Sequence, residues 1–258
     1  MFKRILSDAF SLVFRNLDVV FRACGAWFLL LLVFQICIMV FMPGLASAGA
    51  GDANPSILFL SVINLVFSLV SSASIGVAWH RYGLLGELPD MIHLKVGALE
   101  LRFIGRTLLL FLVTIAVFLP IGLVAFGLAA ILSSGFVTVI IYGIAFIFLL
   151  PHLMRLNLML PATAVERPIG LRDAHTLGEG LGWPMIGAAI VLSLPFILAS
   201  LGLQLLLTLV AAGLPLILIQ FKFMLLSLLI QIIVTVLGIS VITAGYRLAL
   251  ERQHQGSV

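Results

Sequence analysis

Chemistry inside a membrane needs ionisable or nucleophilic side chains at depth, and this chain keeps them out of its apolar runs. No Asp or Glu falls within any long hydrophobic stretch, so proton or sodium coupling through a membrane carboxylate has no group to act through. His80 stands one residue before Arg81, and His152 three before Arg155. Neither has a Cys or carboxylate at ligand spacing, nor a nucleophile it could serve as base, so both read as satisfied interfacial histidines. Cys24 and Cys37 lie on one expected helix, about 20 Å apart at 1.5 Å per residue, and cannot pair. Without a CxxC pattern they read as small apolar residues, with acylation of Cys24 the alternative. No phosphate-binding Gly loop, zinc motif or Gly-x-Ser-x-Gly occurs. The expectation is a chain that is not an enzyme and carries no cofactor and no metal.

The deep polar groups are Gln35, Asn64, Gln204 and Gln231. Each can hydrogen-bond across helices for about 0.6 to 2 kcal/mol, so they read first as glue between spans. Ser68, Ser72 and Gly76 form a small-xxx-small ridge that lets a neighbouring helix approach closely. Lys222 sits at a helix end, where it snorkels.

One cluster stands out. Trp79-His80-Arg81-Tyr82 closes one apolar run, His152-Leu153-Met154-Arg155 a second and Gly245-Tyr246-Arg247 a third. Three helices therefore leave the membrane through an Arg at one face, with Trp79 and Tyr82 as amphipathic rings expected at headgroup depth. Three guanidiniums at one depth repel unless phosphates, nearby carboxylates (Glu87, Glu166, Glu251) or helix-terminal carbonyls neutralise them. The expected contacts with anionic lipid headgroups, or with a membrane-protein partner, are Arg81, Arg155, Arg247, Trp79, His80, Tyr82, His152 and Tyr246. The plainer alternative is that each Arg snorkels and caps its own helix.

The elements that position these groups follow from composition. Of 258 residues 63% are hydrophobic and 9% charged, with mean hydropathy +1.30, far from the roughly 25% charged of soluble domains. Lipid must be the solvent. The net charge of +4 then reflects basic loops rather than affinity for nucleic acid. Residues 1–16 carry an apolar stripe (Phe2, Ile5, Leu6, Ala9, Phe10, Val13) against Lys3, Arg4, Asp8 and Arg15, an interfacial helix. Ala46-Ser47-Ala48 resembles a cleavage site, but the charged lead-in is too long for a signal peptide, so the segment reads as a retained anchor. Spans are expected over about 23–43, 56–79, 107–132, 136–154, 184–209 and 223–246, each long enough to cross hydrocarbon. Pro120 should kink the third and Pro151 loosen the end of the fourth. A second interfacial helix is expected between Arg81 and Arg106, a surface segment over 161–182, and a buried or re-entrant link over 211–220. With the termini and long polar loops on one side, that side collects every Lys and Arg except Lys222. The asymmetry puts both termini in the cytoplasm and calls for an even number of spans. The expected fold is a single all-α integral membrane domain over 1–258: six transmembrane helices as three hairpins, with short cytoplasmic interfacial helices.

From the fourth span the residues resemble a known pattern. Arg155 with Pro161 six positions on, then Glu166, then Leu171-Arg172-Asp173-Ala174, and a closing Ala244-Gly245-Tyr246-Arg247-Leu248 are similar to a bacterial family. It includes the membrane domain attached to some glycerophosphoryl diester phosphodiesterases and related small inner-membrane proteins of unknown function. The resemblance implies a six-span domain of the bacterial inner membrane. This chain has no hydrolase portion, so no catalytic residue carries over.

Two functional classes follow. One is a non-catalytic protein binding lipid or a membrane partner, in envelope or complex assembly. The other is a small transporter or channel with proline-broken helices. A polar cavity at mid-membrane involving Asn64, Gln204 or Gln231 would favour the second, and a dry packed centre the first.

Overall fold

The computed structural model describes residues 1–41, 55–132, 134–210 and 216–256. Among these the chain is all-helical: α1 (Phe2–Phe14), α2 (Leu17–Phe41), α3 (Pro55–Leu85), α4 (Ala98–Leu132), α5 (Gly135–Leu156), α6 (Met159–Ala164), α7 (Leu171–Leu177), α8 (Gly182–Val210) and α9 (Leu216–Gly256). Hydrocarbon offers backbone amides no partner, so an apolar run must satisfy them within itself, as a helix. Six helices, α2, α3, α4, α5, α8 and α9, are long and apolar enough to cross a membrane. The chain is thus a multi-pass membrane protein. Each expected span falls inside one of these helices, residues 42 and 43 lying outside the described set.

Consecutive spans pack as hairpins, α2 on α3, α4 on α5 and α8 on α9, and α9 also meets α2 and α3. α1 lies against α8 and α9. Its Ile5, Ala9 and Val13, four residues apart on one face, are buried there; burying Ile5 and Val13 is worth about 1.5 to 3 kcal/mol each. Phe2 and Phe10 stay exposed beside that face, as a helix lying along an interface requires. Asn16 joins α1 to α2: its side-chain amide donates to Leu12 O (2.8 Å) and its carbonyl accepts from Val19 and Val20 (3.0 and 3.1 Å). Arg4 bonds Glu251, tying the first helix to the last. The two end helices thus share one end of the bundle, the end that carries Arg81 and Arg247.

Three expectations change. No separate helix lies between Arg81 and Arg106: α3 runs to Leu85, residues 86–97 are a loop, and Ala98 to Arg106 are the first turns of α4. The stretch from Pro161 is only partly a surface segment, because Met159 and Pro161 to Ala164 are buried in α6 and only α7 and its flanks are exposed. Of the link over 211–220, residues 211–215 lie outside the described set and Leu216 begins α9. Helices α4, α5 and α8 continue through Pro120, Pro151 and Pro195. Gly182 lets α8 start hard against α5: a methyl there would stand 2.8 Å from Pro151 Cβ.

Burial is uneven along the spans. On α3 every residue from Ala73 to His80 is buried, whereas Leu58 to Val66 is largely exposed. On α9 the buried residues gather between Ile232 and Ala249. Among the described residues, packing is thus tight at the basic end and sparser toward the other.

Candidate functional site

The α3–α9 seam gathers most of the expected site residues and gives them internal work. Trp79 is not a headgroup ring: it is fully buried, and its indole N–H donates to Ser240 Oγ at 2.7 Å. His80, also buried, meets Thr243 Oγ1 through Nδ1 at 2.8 Å, the satisfied histidine expected, though in the core. Tyr82 is half-buried with its ring 5.7 Å from Trp79, and Tyr246 is buried. Gly83 makes room for Thr243, whose Cγ2 would lie 2.8 Å from an added methyl, and Arg247 bonds the Gly83 carbonyl.

Arg81 is a tie rather than a free cation. Nε and Nη2 grip Glu87 Oε2 and Oε1 at 2.7 and 2.9 Å, and Nη1 donates to the Ala164 carbonyl at 3.0 Å. That fork geometry suits guanidinium and would be lost with Lys. The hydrogen bonds from Arg81 hold the Glu87 carboxyl below the ordinary range. Glu166, 3.9 Å from Arg81 Nη1, adopts φ 59°, an uncommon conformation for a residue with a Cβ. Two of the three expected carboxylates thus neutralise Arg81, while Glu251 serves Arg4. Arg155 and His152 sit apart, on α5 against α7: Arg155 packs on Gly178, and His152 Nδ1 faces His175 Nε2 at 2.8 Å in a stacked pair. Cys24 is buried, which closes it to acylation, and Cys37 is exposed.

Away from the basic end, α2, α3 and α9 line an open-sided cavity of about 460 Å³. Trp27 and Gln35 enter from α2, Asn64, Ser68, Ser71 and Ser72 from α3, and Ser227, Gln231 and Thr235 from α9. These residues lie within the membrane-spanning lengths of α2, α3 and α9. Gln35, Asn64 and Gln231 make no side-chain hydrogen bond to any described residue, and the buried Trp27 Nε1 has no partner either. The amides are therefore not glue. Gln204 is exposed on α8, outside this cavity. The small ridge divides: Gly76 admits Phe103 of α4, whose Cζ would lie 2.9 Å from an added methyl, while Ser68 and Ser72 face the cavity. Among the described residues that line the cavity none is ionisable, so these offer hydrogen bonds without charge.

A second, charged pocket of about 380 Å³ lies at the basic end, under the 86–97 loop. Arg81, Glu87, Asp90, His93, Lys95, Glu100 and Glu166 line it. Glu100 is 2% exposed, and its Oε2 accepts the Gly97 N–H at 2.8 Å, capping α4. His93 is 6% exposed with neither ring nitrogen hydrogen-bonded; the Ser74 backbone facing it falls short of bonding geometry. Burial, outweighing the pull of Asp90 and Glu100, holds His93 below its ordinary pKa. Among the described residues no group of three or more His, Cys, Asp or Glu could hold a metal.

Sequence reading singled out the amides but not their shared face. The signal was present as a four-residue spacing of polar positions, 64-68-72 on α3 and 227-231-235 on α9. His93, Ser240 and Thr243 carried none that a single sequence reveals. Compared with known protein families, with curated proteins and with solved structures, the chain matches none.

Proposed function

We propose that the chain is a non-catalytic membrane protein that admits a small, uncharged polar solute into the α2/α3/α9 cavity, as a transporter does. One observation carries this reading: three amides and an indole N–H on the membrane-spanning helices line one cavity without partners among the described residues. An unpaired buried polar group costs about 1 to 3 kcal/mol on protein scales. The buried Trp27 Nε1 is such a group, and Gln35, Asn64 and Gln231, exposed to the cavity, would meet the same cost wherever hydrocarbon rather than water or a solute filled it. Water or a solute in the cavity removes that cost. The described lining residues are uncharged and so give an ion no countercharge to offset its desolvation.

The test is flux. Proteoliposomes carrying the full chain are challenged with hyperosmotic glycerol or urea, and re-swelling is followed by light scattering. Re-swelling should be faster than in protein-free vesicles and should fall to their rate in the Gln35→Leu/Asn64→Leu/Gln231→Leu variant. Equal rates for the native chain and the variant would sink the reading.

Binding of anionic lipid or of a membrane partner is the second reading. It rests on a pocket of about 540 Å³ at the basic end lined by Arg167, Arg247, Tyr246, His254 and Glu251 with Leu84, Leu85 and Leu250. Glu251 is bonded to Arg4, and the two guanidiniums over an apolar wall suit a phospholipid, which presents phosphate over acyl chain. Loss of anionic-lipid retention in Arg167→Gln/Arg247→Gln would support it. Placement in a bacterial inner membrane with both termini cytoplasmic, and kinship with the phosphodiesterase-linked domain, belong to the same proposal, resting on the basic-residue asymmetry and on Arg155, Pro161 and Glu166.

A further inference from the structure

We propose that the charged pocket beneath the 86–97 loop is a binding site for a primary ammonium group, presented by the headgroup of an aminophospholipid or by a free amine. The argument begins with what is already spent. Arg81 gives its fork to Glu87 and its remaining donor to the Ala164 carbonyl, so the strongest cation in the pocket is neutralised by the protein itself. Glu166 also leans on Arg81, yet the lining as a whole sets four carboxylates, Glu87, Asp90, Glu100 and Glu166, against two cations, Arg81 and Lys95, which leaves the space negative. An anion is repelled there. A metal lacks its ligand set.

His93 supplies the independent sign of a ligand. It is more than nine-tenths buried, it lines the pocket, and both its nitrogens lack hydrogen bonds. A buried donor and acceptor left unmade are costly, so such groups as a rule have partners. Because burial disfavours its charged form, the ring keeps an open acceptor nitrogen at neutral pH. A primary ammonium has three N–H donors, enough for that nitrogen and for neighbouring carboxylates at once. A quaternary ammonium has none.

The loop above the pocket favours a lipid source. Leu88, Met91, Ile92, Leu94 and Val96 are all exposed, Met91 by 80% and Ile92 by 72%, while Pro89 and His93 between them turn inward. Exposed apolar side chains at this density on a loop joining two membrane helices belong in the interface, which sets the pocket mouth at headgroup depth.

The full chain is reconstituted in nanodiscs of equal phosphatidylethanolamine and phosphatidylcholine, transferred to mild detergent, and its retained lipid read by native mass spectrometry. The expected enrichment of the ethanolamine lipid is about tenfold, equivalent to about 1.4 kcal/mol. It should fall toward unity in His93→Leu and in Asp90→Asn; the second alters an exposed residue, so it reads out the site even where the first fails to fold. In a parallel arm, thermal stabilisation by ethylamine is compared with that by tetramethylammonium. Stabilisation by ethylamine alone, lost in Asp90→Asn, without lipid enrichment assigns the site to a soluble amine. No preference in either arm by the folded native chain, or a preference that both variants leave intact, overturns the proposal.

Discussion

The hydration of the α2/α3/α9 cavity can be tested one residue at a time along α3. Asn64 and Ser68 line the cavity, whereas Leu65 (59% exposed) and Val62 (51% exposed) stand on the same helix at nearly the same depth, outside it. Geometric exposure is similar, and only the surrounding medium separates the two pairs. Each is changed singly to Cys in a Cys24→Ala/Cys37→Ala background and exposed to a membrane-impermeant methanethiosulfonate, which reacts with thiolate. At pH 8 a hydrated thiol of pKa about 8.5 is about one-quarter ionised. Hydrocarbon raises that pKa by about 3 units or more, lowering the thiolate fraction about 1000-fold. Asn64→Cys and Ser68→Cys should therefore label at least about 100-fold faster than Leu65→Cys and Val62→Cys, allowing for restricted entry of the reagent. Rates within about threefold of one another would mean that the cavity holds no water, and the solute-admission reading would fall with it.

Three further outcomes follow. Gly182→Ala sets a methyl against the backbone of Pro151, 2.9 Å from its carbonyl carbon, and should cost about 1 to 3 kcal/mol in detergent denaturation; Gly245→Ala, which meets the pliable Met185 side chain with Cγ at 3.1 Å, should cost clearly less. Ser240→Ala strands the buried Trp79 indole N–H and should cost about 1 to 3 kcal/mol, a cost that largely disappears when Trp79→Phe is already in place. Thermal stability should decline with acidification in two steps. Below about 6.5, the ordinary histidine value, the unfolded chain takes up a proton that folded His93 resists; below about 4.5, it takes up one that Arg81 keeps from Glu87. His93→Leu should flatten the first step and Glu87→Gln the second.

The spans were legible because lipid imposes one rule on every apolar run, about 20 residues of self-satisfied helix. The Arg81–Glu87 pair was legible because six residues separate the partners. Trp79 misled for a definite reason: Trp beside His, Arg and Tyr has the composition of an interfacial belt, and the hydroxyl that draws it inward lies 161 residues away. A separation of 163 residues likewise hides His80 from Thr243. The amides were visible as deep polar groups, but whether a deep amide bonds a neighbour or faces a void depends on how three helices rotate against one another, which a pattern on each helix alone does not specify.

The uneven packing bears on how such a cavity could work. Its lining ends toward the basic side at Trp27, Ile75 and Thr235. Beyond them α3 is buried without interruption to His80, and α9 meets it through Ser240, Thr243 and Arg247. On the solute-admission reading, a solute in the cavity meets this packed seam, and the described residues leave no standing pore on the basic side. Passage requires the seam to part, exposing the Trp79 and His80 donors together with their hydroxyl partners. The seam holds three side-chain hydrogen bonds across one helix pair, each worth about 0.5 to 1.5 kcal/mol net. A sum of that size is within reach of solute binding, so the arrangement suits a carrier that alternates between two closures. Weakening the seam by Thr243→Val should then raise flux if opening limits it, and abolish any dependence of flux on solute saturation if the seam no longer closes.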